Sequence, residues 1–243
     1  MSATNSRRPR GTLSRDQVLR AALAVADRDG LAELTMAGVA NELGVPGASV
    51  YRHASGRADL IAGLADVVLA GWEIPDPEPD PIRAFAAAQR SLRQVLRPHP
   101  AAQAVVSAEG IGTEGRRPHL ERMCAILEAA GVRPAMALVL ALRFTAGAAS
   151  LLVAEQTIFG TAEEAERGEG LRRMRGRLMT LDPAEYPALA RAADDLAEPF
   201  DPEAVFETGL ALISAGLAEQ TEPGGALAGT TRARRRRRSG ARD

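Results

Sequence analysis

The stretch from Met36 to His53, MAGVANELGVPGASVYRH, restricts the fold more than any other part of the chain. Val39, Ala40 and Leu43 put apolar groups at i, i+1 and i+4, one face of a short helix. Gly44 follows where the chain must turn sharply, and a residue without Cβ takes φ > 0 at no steric cost. Val45 and Val50 supply the contacts that tuck a second helix against the first, and Ala40 leaves room for the two to cross closely. The pattern is that of a helix-turn-helix, whose second helix lies in a DNA major groove. An ordinary αα-hairpin satisfies it as well, and this stretch alone leaves both readings open.

The flanks extend the pattern into a small bundle over residues 13–74. Ser14 and Gln17 form a capping box, Leu13 and Val18 a hydrophobic staple, and Gly30 closes the first helix. Thr35 is placed to cap the next helix. Ser55 is placed to cap a fourth, with Leu60, Ile61, Leu64, Val67, Val68 and Trp72 inward. Residues 1–12 read as a disordered basic arm carrying Arg7, Arg8 and Arg10.

Apolar residues make up 46% of the chain and aromatics only 3%, and they recur at helical rather than alternating spacing, so the fold class expected is all-α. No uninterrupted apolar run is long enough to span a bilayer, and no hydrophobic signal region follows the N-terminus; no membrane partner is expected. Cys124 stands alone, which fits a small buried hydrophobe in the reducing cytoplasm. Every basic residue is arginine, and the net charge of −1 hides an acidic body between two basic ends.

After the bundle, PDPEPDP (75–81) reads as an extended connector, because proline fixes φ and removes donors. Helices are expected over 81–96, 101–108, 118–130 and 133–155. The last is apolar nearly all round and therefore needs cover on every side. Residues 157–177 turn charged and glycine-rich, a mobile loop or a frayed helix; 184–197 and 202–220 read as helices. On the final helix Phe206, Gly209, Leu210, Ile213, Gly216 and Leu217 form one stripe. Two interior glycines each cost roughly 1 kcal/mol against alanine, a cost that makes sense where another backbone approaches. Residues 222–243, with the run Arg234 to Arg238, read as a disordered tail able to attract phosphates non-specifically.

The second helix of the motif starts near Pro46 and exposes Gly47, Ala48, Ser49, Tyr51, Arg52 and His53. Arg52 has the fork to bind a guanine edge bidentately, Ala48 suits a thymine methyl, and Gly47 lets the helix lie close. Ser49, Tyr51 and His53 suit phosphates. Thr35 and Arg57 sit at helix N-termini, where backbone amides bind phosphate too. Arg7, Arg8 and Arg10 suit an adjacent minor groove. His53, His99 and His119 show no metal-ligand spacing with Cys124 or paired acids, and Asp194-Asp195 reads as a solvated helix face. No enzyme, metal or cofactor is expected.

The run LTMAGVANELGVPGASVYRHASGRADL resembles the DNA-binding domain of TetR-family transcriptional regulators. The resemblance lies in the capped first helix, T-M opening the second, L-G-V at the turn, V-Y-R-H ending the third and D-L opening the fourth. Ala54 replaces a common aromatic and Arg57 a common lysine. The resemblance implies that Tyr51, His53 and Arg57 contact the DNA backbone. RPHP (97–100), RFTAG (143–147) and the glycine stripe are similar, more patchily, to the tetracycline-repressor-like C-terminal domain. That likeness implies that residues 80–221 form a helical ligand-binding and dimerisation domain. Leu151 and Leu152 would join the last-helix stripe in a four-helix dimer interface, unless that helix is buried within its own chain. It implies an effector pocket for which Leu92, His99, Val105, Met123, Leu127, Leu140, Arg143, Phe144 and Glu155 are candidates. Arg143 would there need an anion, from Glu109, Glu155 or a ligand. The histidine preceding the G-T pair of tetracycline repressors has no match at Gly110 to Thr113, so a magnesium–tetracycline site is not carried over. The function implied is a homodimeric repressor that binds double-stranded operator DNA and is released by a small-molecule effector. A helical protein-interaction module, or a non-specific nucleic-acid binder using the arginine tail, are the alternatives.

Overall fold

The structure is a computed structural model describing residues 13–108, 114–159, 164–197 and 201–221. The basic arm, Glu109, the Gly110–Thr113 segment and the arginine tail lie outside the described residues. All regular elements among the described residues are helical.

Helix α1 (Arg15–Asp29) begins with the expected capping box: Gln17 N–H donates to Ser14 Oγ at 3.2 Å and Ser14 N–H to Gln17 Oε1 at 2.9 Å. Gly30 ends it at φ 92°. A 3-10 turn (Leu31–Glu33) leads to α2 (Met36–Leu43), where Thr35 Oγ1 accepts the Gly38 N–H at 3.0 Å. Gly44 then takes the left-handed conformation, φ 64° and ψ 34°, and α3 (Gly47–Tyr51) follows Pro46. Helix α4 spans Arg57–Leu69. Ser55 does not cap it. The cap position is Gly56, and Ser55 instead donates, from its N–H (2.8 Å) and hydroxyl (3.2 Å), to the Asp59 carboxylate. α1 and α4 cross closely at Gly63, where a Cβ would collide with the Leu19 side chain.

The connector 75–80 is free of helix, but the residues on both sides of it are pinned to each other. Trp72 Nε1 donates to the Ala88 carbonyl at 2.8 Å, Glu73 N–H to Ser91 Oγ at 2.9 Å, and Ile74 is buried. One apolar core therefore runs continuously from Val18 to Leu217. Beyond the connector lie α5 (Pro81–Leu96), α6 (Pro100–Ala108), α7 (Arg117–Ala129), α8 (Pro134–Phe159), α9 (Glu164–Leu178), α10 (Pro187–Asp195) and α11 (Pro202–Thr221). Where residues 157–177 are described, regular helix replaces both readings. α8 continues to Phe159 and α9 is regular, its last-turn Arg175 and Arg177 suiting the negative end of the helix dipole.

α8 is the central element, touching α5, α6, α7 and α9. Over Pro134–Gln156 it is long and apolar enough to cross a membrane by length and composition, although Arg143 and Glu155 interrupt the apolar run. Neighbouring helices cover it on several sides, and it carries Arg143 and an ion-paired Glu155. α11 lies antiparallel to α5, since Glu203 pairs with Arg93 and Glu207 with Arg90.

Candidate nucleic-acid interface

The αL turn at Gly44 aims α3 outward from the bundle. Val50 is fully buried and Ala54 nearly so, and they anchor α3 and the turn after it in the core. Gly47, Ala48, Tyr51 and Arg52 stand on the outer side, Tyr51 at 60% exposure. Ser49 and His53 are half-buried, and an Arg52 guanidinium N–H reaches the Ser49 hydroxyl at 3.4 Å. No carboxylate occurs between Pro46 and Gly56, so this surface presents no negative charge of its own to a phosphate.

Two arginines hold the loops on either side of α3. Arg15 on α1 donates to the His53 carbonyl (2.5 Å) and to both oxygens of Asp59 (2.5 and 3.2 Å), which fixes the end of α3 against the start of α4. The Arg15 contact and the Ser55 N–H together hold the Asp59 carboxyl at about 2, below the usual carboxylate range. Arg57 was expected at the DNA backbone. Its guanidinium instead donates to the carbonyls of Leu34 (2.8 Å) and Leu31 (2.6 Å), closing the 3-10 turn ahead of α2. Its α4 N-terminal amide, rather than its side chain, remains the group suited to phosphate. The Thr35 hydroxyl is likewise engaged as an α2 cap, on an exposed residue.

In the rear half, Leu92, Met123 and Leu127 are fully buried, Val105 is buried, and Leu140 and Phe144 are half-buried; all six belong to one cluster across α5–α8. Phe85 meets Phe144 edge-on at 4.9 Å. Three candidates leave this group. Arg143 is exposed, one turn from exposed Val139, so no buried anion is needed for it. Glu155 is taken by Arg93 at 2.9 Å. His99 sits at the α1–α6 corner with Nδ1 2.7 Å from Asp27 Oδ2.

The buried polar groups were missed from the sequence. Burial works against the charge on Arg93, but Glu155 and Glu203 outweigh it and raise its pKa; Arg93 also covers the Phe206 ring at 4.7 Å. Gln103, fully buried, donates to the Leu96 carbonyl (2.9 Å) and accepts from Gln156 (3.2 Å). The available signal was charge spacing: Arg90 and Arg93 on α5, with Arg97 just after it, answer Glu203 and Glu207 on α11. His119 stacks on Trp72 at 5.6 Å, and burial lowers its pKa.

The expected dimer residues divide between two faces. Leu152, Leu210 and Leu217 are buried within the chain and Phe206 is half-covered by Arg93, so they are intrachain core rather than interface. Leu151 (58% exposed) and Ile213 face outward, and a Cβ built on Gly209 or Gly216 would meet nothing. Val139, Val153, Val205 and Leu212 (71% exposed), not anticipated, are on the exterior as well. The helical period explains the split: Val205, Gly209, Leu212 and Gly216 fall about one turn apart on the outer side of α11.

Comparison with known proteins converges on one group. Residues 18–64 match the family described as bacterial regulatory proteins, tetR family, and residues 74–221 match the tetracyclin repressor-like C-terminal domain. An HTH-type transcriptional regulator of Saccharopolyspora erythraea is 30% identical over 87% of both chains. The class A tetracycline repressor of transposon 1721, from Escherichia coli, is 29% identical over 86% of this chain and 92% of its own. Among solved structures, ActR of Streptomyces coelicolor in complex with actinorhodin superposes with TM-score 0.74 at 26% identity, over 88% of this chain and all of that one.

Proposed function

Because the chain belongs to the TetR family of bacterial regulators, we propose that it acts as a dimeric repressor whose two α3 helices enter successive major grooves of a pseudo-palindromic operator. The chain is a ligand-responsive, DNA-binding transcriptional regulator. Members of the family bind operator DNA, act as dimers and take small-molecule effectors. The observation that carries the finer reading is the pairing of an anchored α3, fixed by Val50 inside and Arg15 at its end, with Tyr51 and Arg52 exposed outside. Arg52 supplies base readout, and Tyr51, Ser49 and the Arg57 amide supply phosphate contacts. The effector enters the α5–α8 core lined by Leu92, Met123, Leu127 and Phe144, and that this fold takes a small molecule is supported by ActR in complex with actinorhodin. Binding there shifts the population toward an arrangement of α6 and α4 that spreads the two heads, since α6 contacts both α8 and α4. The operator reading places the work in the cytoplasm. Footprinting on the DNA upstream of the protein's own coding sequence tests the proposal. Protection of a two-half-site element, lost when an apolar effector is added, is the expected result; protection indistinguishable from that of bulk genomic fragments would refute it.

A further inference from the structure

The head does not close fully against α5. Between α1, α4 and α5 lies a cleft of about 600 Å3, and small-molecule sites run from about 300 to 1,000 Å3. Its floor is apolar, made by buried Leu23 and Val68 with half-buried Val67 and Val95. Its polar edge carries Arg20, Gln94 and His99.

The carboxylate on that edge, Asp27, is already used. One oxygen faces His99 Nδ1 at 2.7 Å and the other accepts the Ala101 N–H at 3.2 Å. His99 is thereby held in one orientation, and its Nε2 has no partner among the described residues. Arg20 reaches Asp16 through Nε alone (2.8 Å), which leaves its terminal nitrogens without a partner among the described residues. The unspent groups are therefore a guanidinium end, an amide and one imidazole nitrogen. Arg20 and Asp27 stand two turns apart on α1, about 10 Å, so Arg20 and His99 mark opposite ends of an apolar floor.

We propose that this cleft is a second ligand site, distinct from the α5–α8 core, and that it takes a flat two-ring hydroxy acid. The rings lie on the valine floor, the carboxylate meets the Arg20 guanidinium, and the hydroxyl donates to His99 Nε2. α1 and α4 belong to the head and α5 to the rear half, so such a ligand ties the two together and resists the movement between them. That regulatory consequence rests on the operator reading above; occupancy of the cleft does not.

Equilibrium titration of the full chain with 6-hydroxy-2-naphthoate tests the site, followed by the probe's own fluorescence. Saturable binding is expected at one probe per chain. Arg20→Gln, and replacement of the probe by its uncharged carboxamide, should each weaken binding about tenfold, the loss of one charge-assisted hydrogen bond. Ala24→Trp, an exposed α1 position lining the cleft, should abolish it by filling the space. Absence of saturable binding to the unaltered chain overturns the proposal. So does binding of unchanged strength in either variant, which would put the probe elsewhere, the α5–α8 core included. Arg20→Gln leaves a solvent-facing residue on an intact helix, so the test survives should Ala24→Trp fail to fold. A chain that shows this pattern without binding an operator keeps the site and loses its regulatory meaning. One that binds its operator without the pattern loses the site alone.

Discussion

The two ends of the molecule finish their cores differently. In the head, α1–α4, the large side chains Val18, Leu34, Val50, Leu60 and Leu64 are fully buried, and the one large hydrophobic group well exposed is Tyr51, on the face proposed for DNA. In the rear half, α8 and α11 leave Val139, Leu151, Val205, Leu212 and Ile213 in solvent. Exposed apolar area is disfavoured at roughly 25 cal/mol per Å2, so large apolar groups left in solvent on two helices favour a partner that covers them. The head is complete within one chain, whereas the rear half leaves open the faces that the proposed dimer would cover. On the dimeric repressor proposed above, operator binding would depend on both, the head reading and the rear half spacing two heads.

The largest effect should come from breaking the rear alone. Leu151→Asp combined with Leu212→Asp should weaken dimerisation at least about a hundredfold, because a buried unpaired charge costs several kcal/mol at an interface. Operator affinity should fall by about 10²- to 10⁴-fold through lost avidity, with no change in the head's own fold. Sedimentation equilibrium and operator titration read both. A double variant that stays dimeric would show that these residues are not the interface.

Breaking the reading surface should leave the pairing intact. Arg52→Ala should cost about 1–3 kcal/mol of operator affinity, roughly 5- to 150-fold, and relax preference at a single base position. Tyr51→Phe should weaken all sequences alike if its hydroxyl meets phosphate. Dimerisation should be unaffected in both. If Arg52→Ala weakens random and operator DNA equally, the residue is a phosphate contact rather than a reader of bases.

The contrast also explains which parts of the fold were legible in the sequence. In the head, local signals and tertiary packing agree: the Ser14–Gln17 box, the Thr35 cap and Gly44 at φ 64° are each set by neighbours a few residues away. Ser55 misled because serine beside a helix start can donate as well as accept, and Asp59 offered the stronger acceptor. Arg57 misled because its carbonyl partners lie at Leu31 and Leu34, and no spacing rule brings them near. In the rear half, α8 and α11 are apolar nearly all round, so periodicity does not say which side turns inward. Leu152, Leu210 and Leu217 were therefore grouped with residues on the opposite face. His99 and Glu155 found partners 72 and 62 residues away, beyond the reach of local pattern.

Glycine substitutions sharpen the comparison by sign. At Gly63 a methyl group would meet Leu19 in a closed core, so Gly63→Ala should destabilise by about 1–3 kcal/mol. At Gly209 and Gly216 the single chain leaves open space, and alanine there should stabilise an isolated helix by up to roughly 1 kcal/mol each. If a partner backbone approaches at these positions, the same changes should weaken the dimer while raising monomer stability. Chemical denaturation at high and low protein concentration separates the two. A gain at every concentration would remove the close approach, and with it the reason for two glycines in that helix.

The smallest effect tests the ionic clamp behind α3. Asp59 is held at about 2 in the folded chain against an ordinary value of 3.8, first by its hydrogen bond from Arg15 and then by the Ser55 N–H. A carboxyl whose folded pKa is depressed contributes stability that is fully present above its unfolded value and lost as pH falls through its folded one. The Asp59 contribution should therefore be intact at neutral pH, begin to fall near pH 4 and be gone below about pH 2. Arg15 is about half exposed, so solvent screening reduces the effect to about 1 kcal/mol. Urea midpoints of the unaltered chain and of Asp59→Asn should differ by that amount at pH 7 and converge toward pH 2. His119 acts in a higher window. Burial keeps it neutral when folded, so protons taken up by the unfolded chain below about pH 6.5 erode stability there in both proteins alike. A gap between the two proteins that stays constant down to pH 2 would mean that Asp59 holds α3 by shape rather than by charge, and the head would then owe its closure to packing alone.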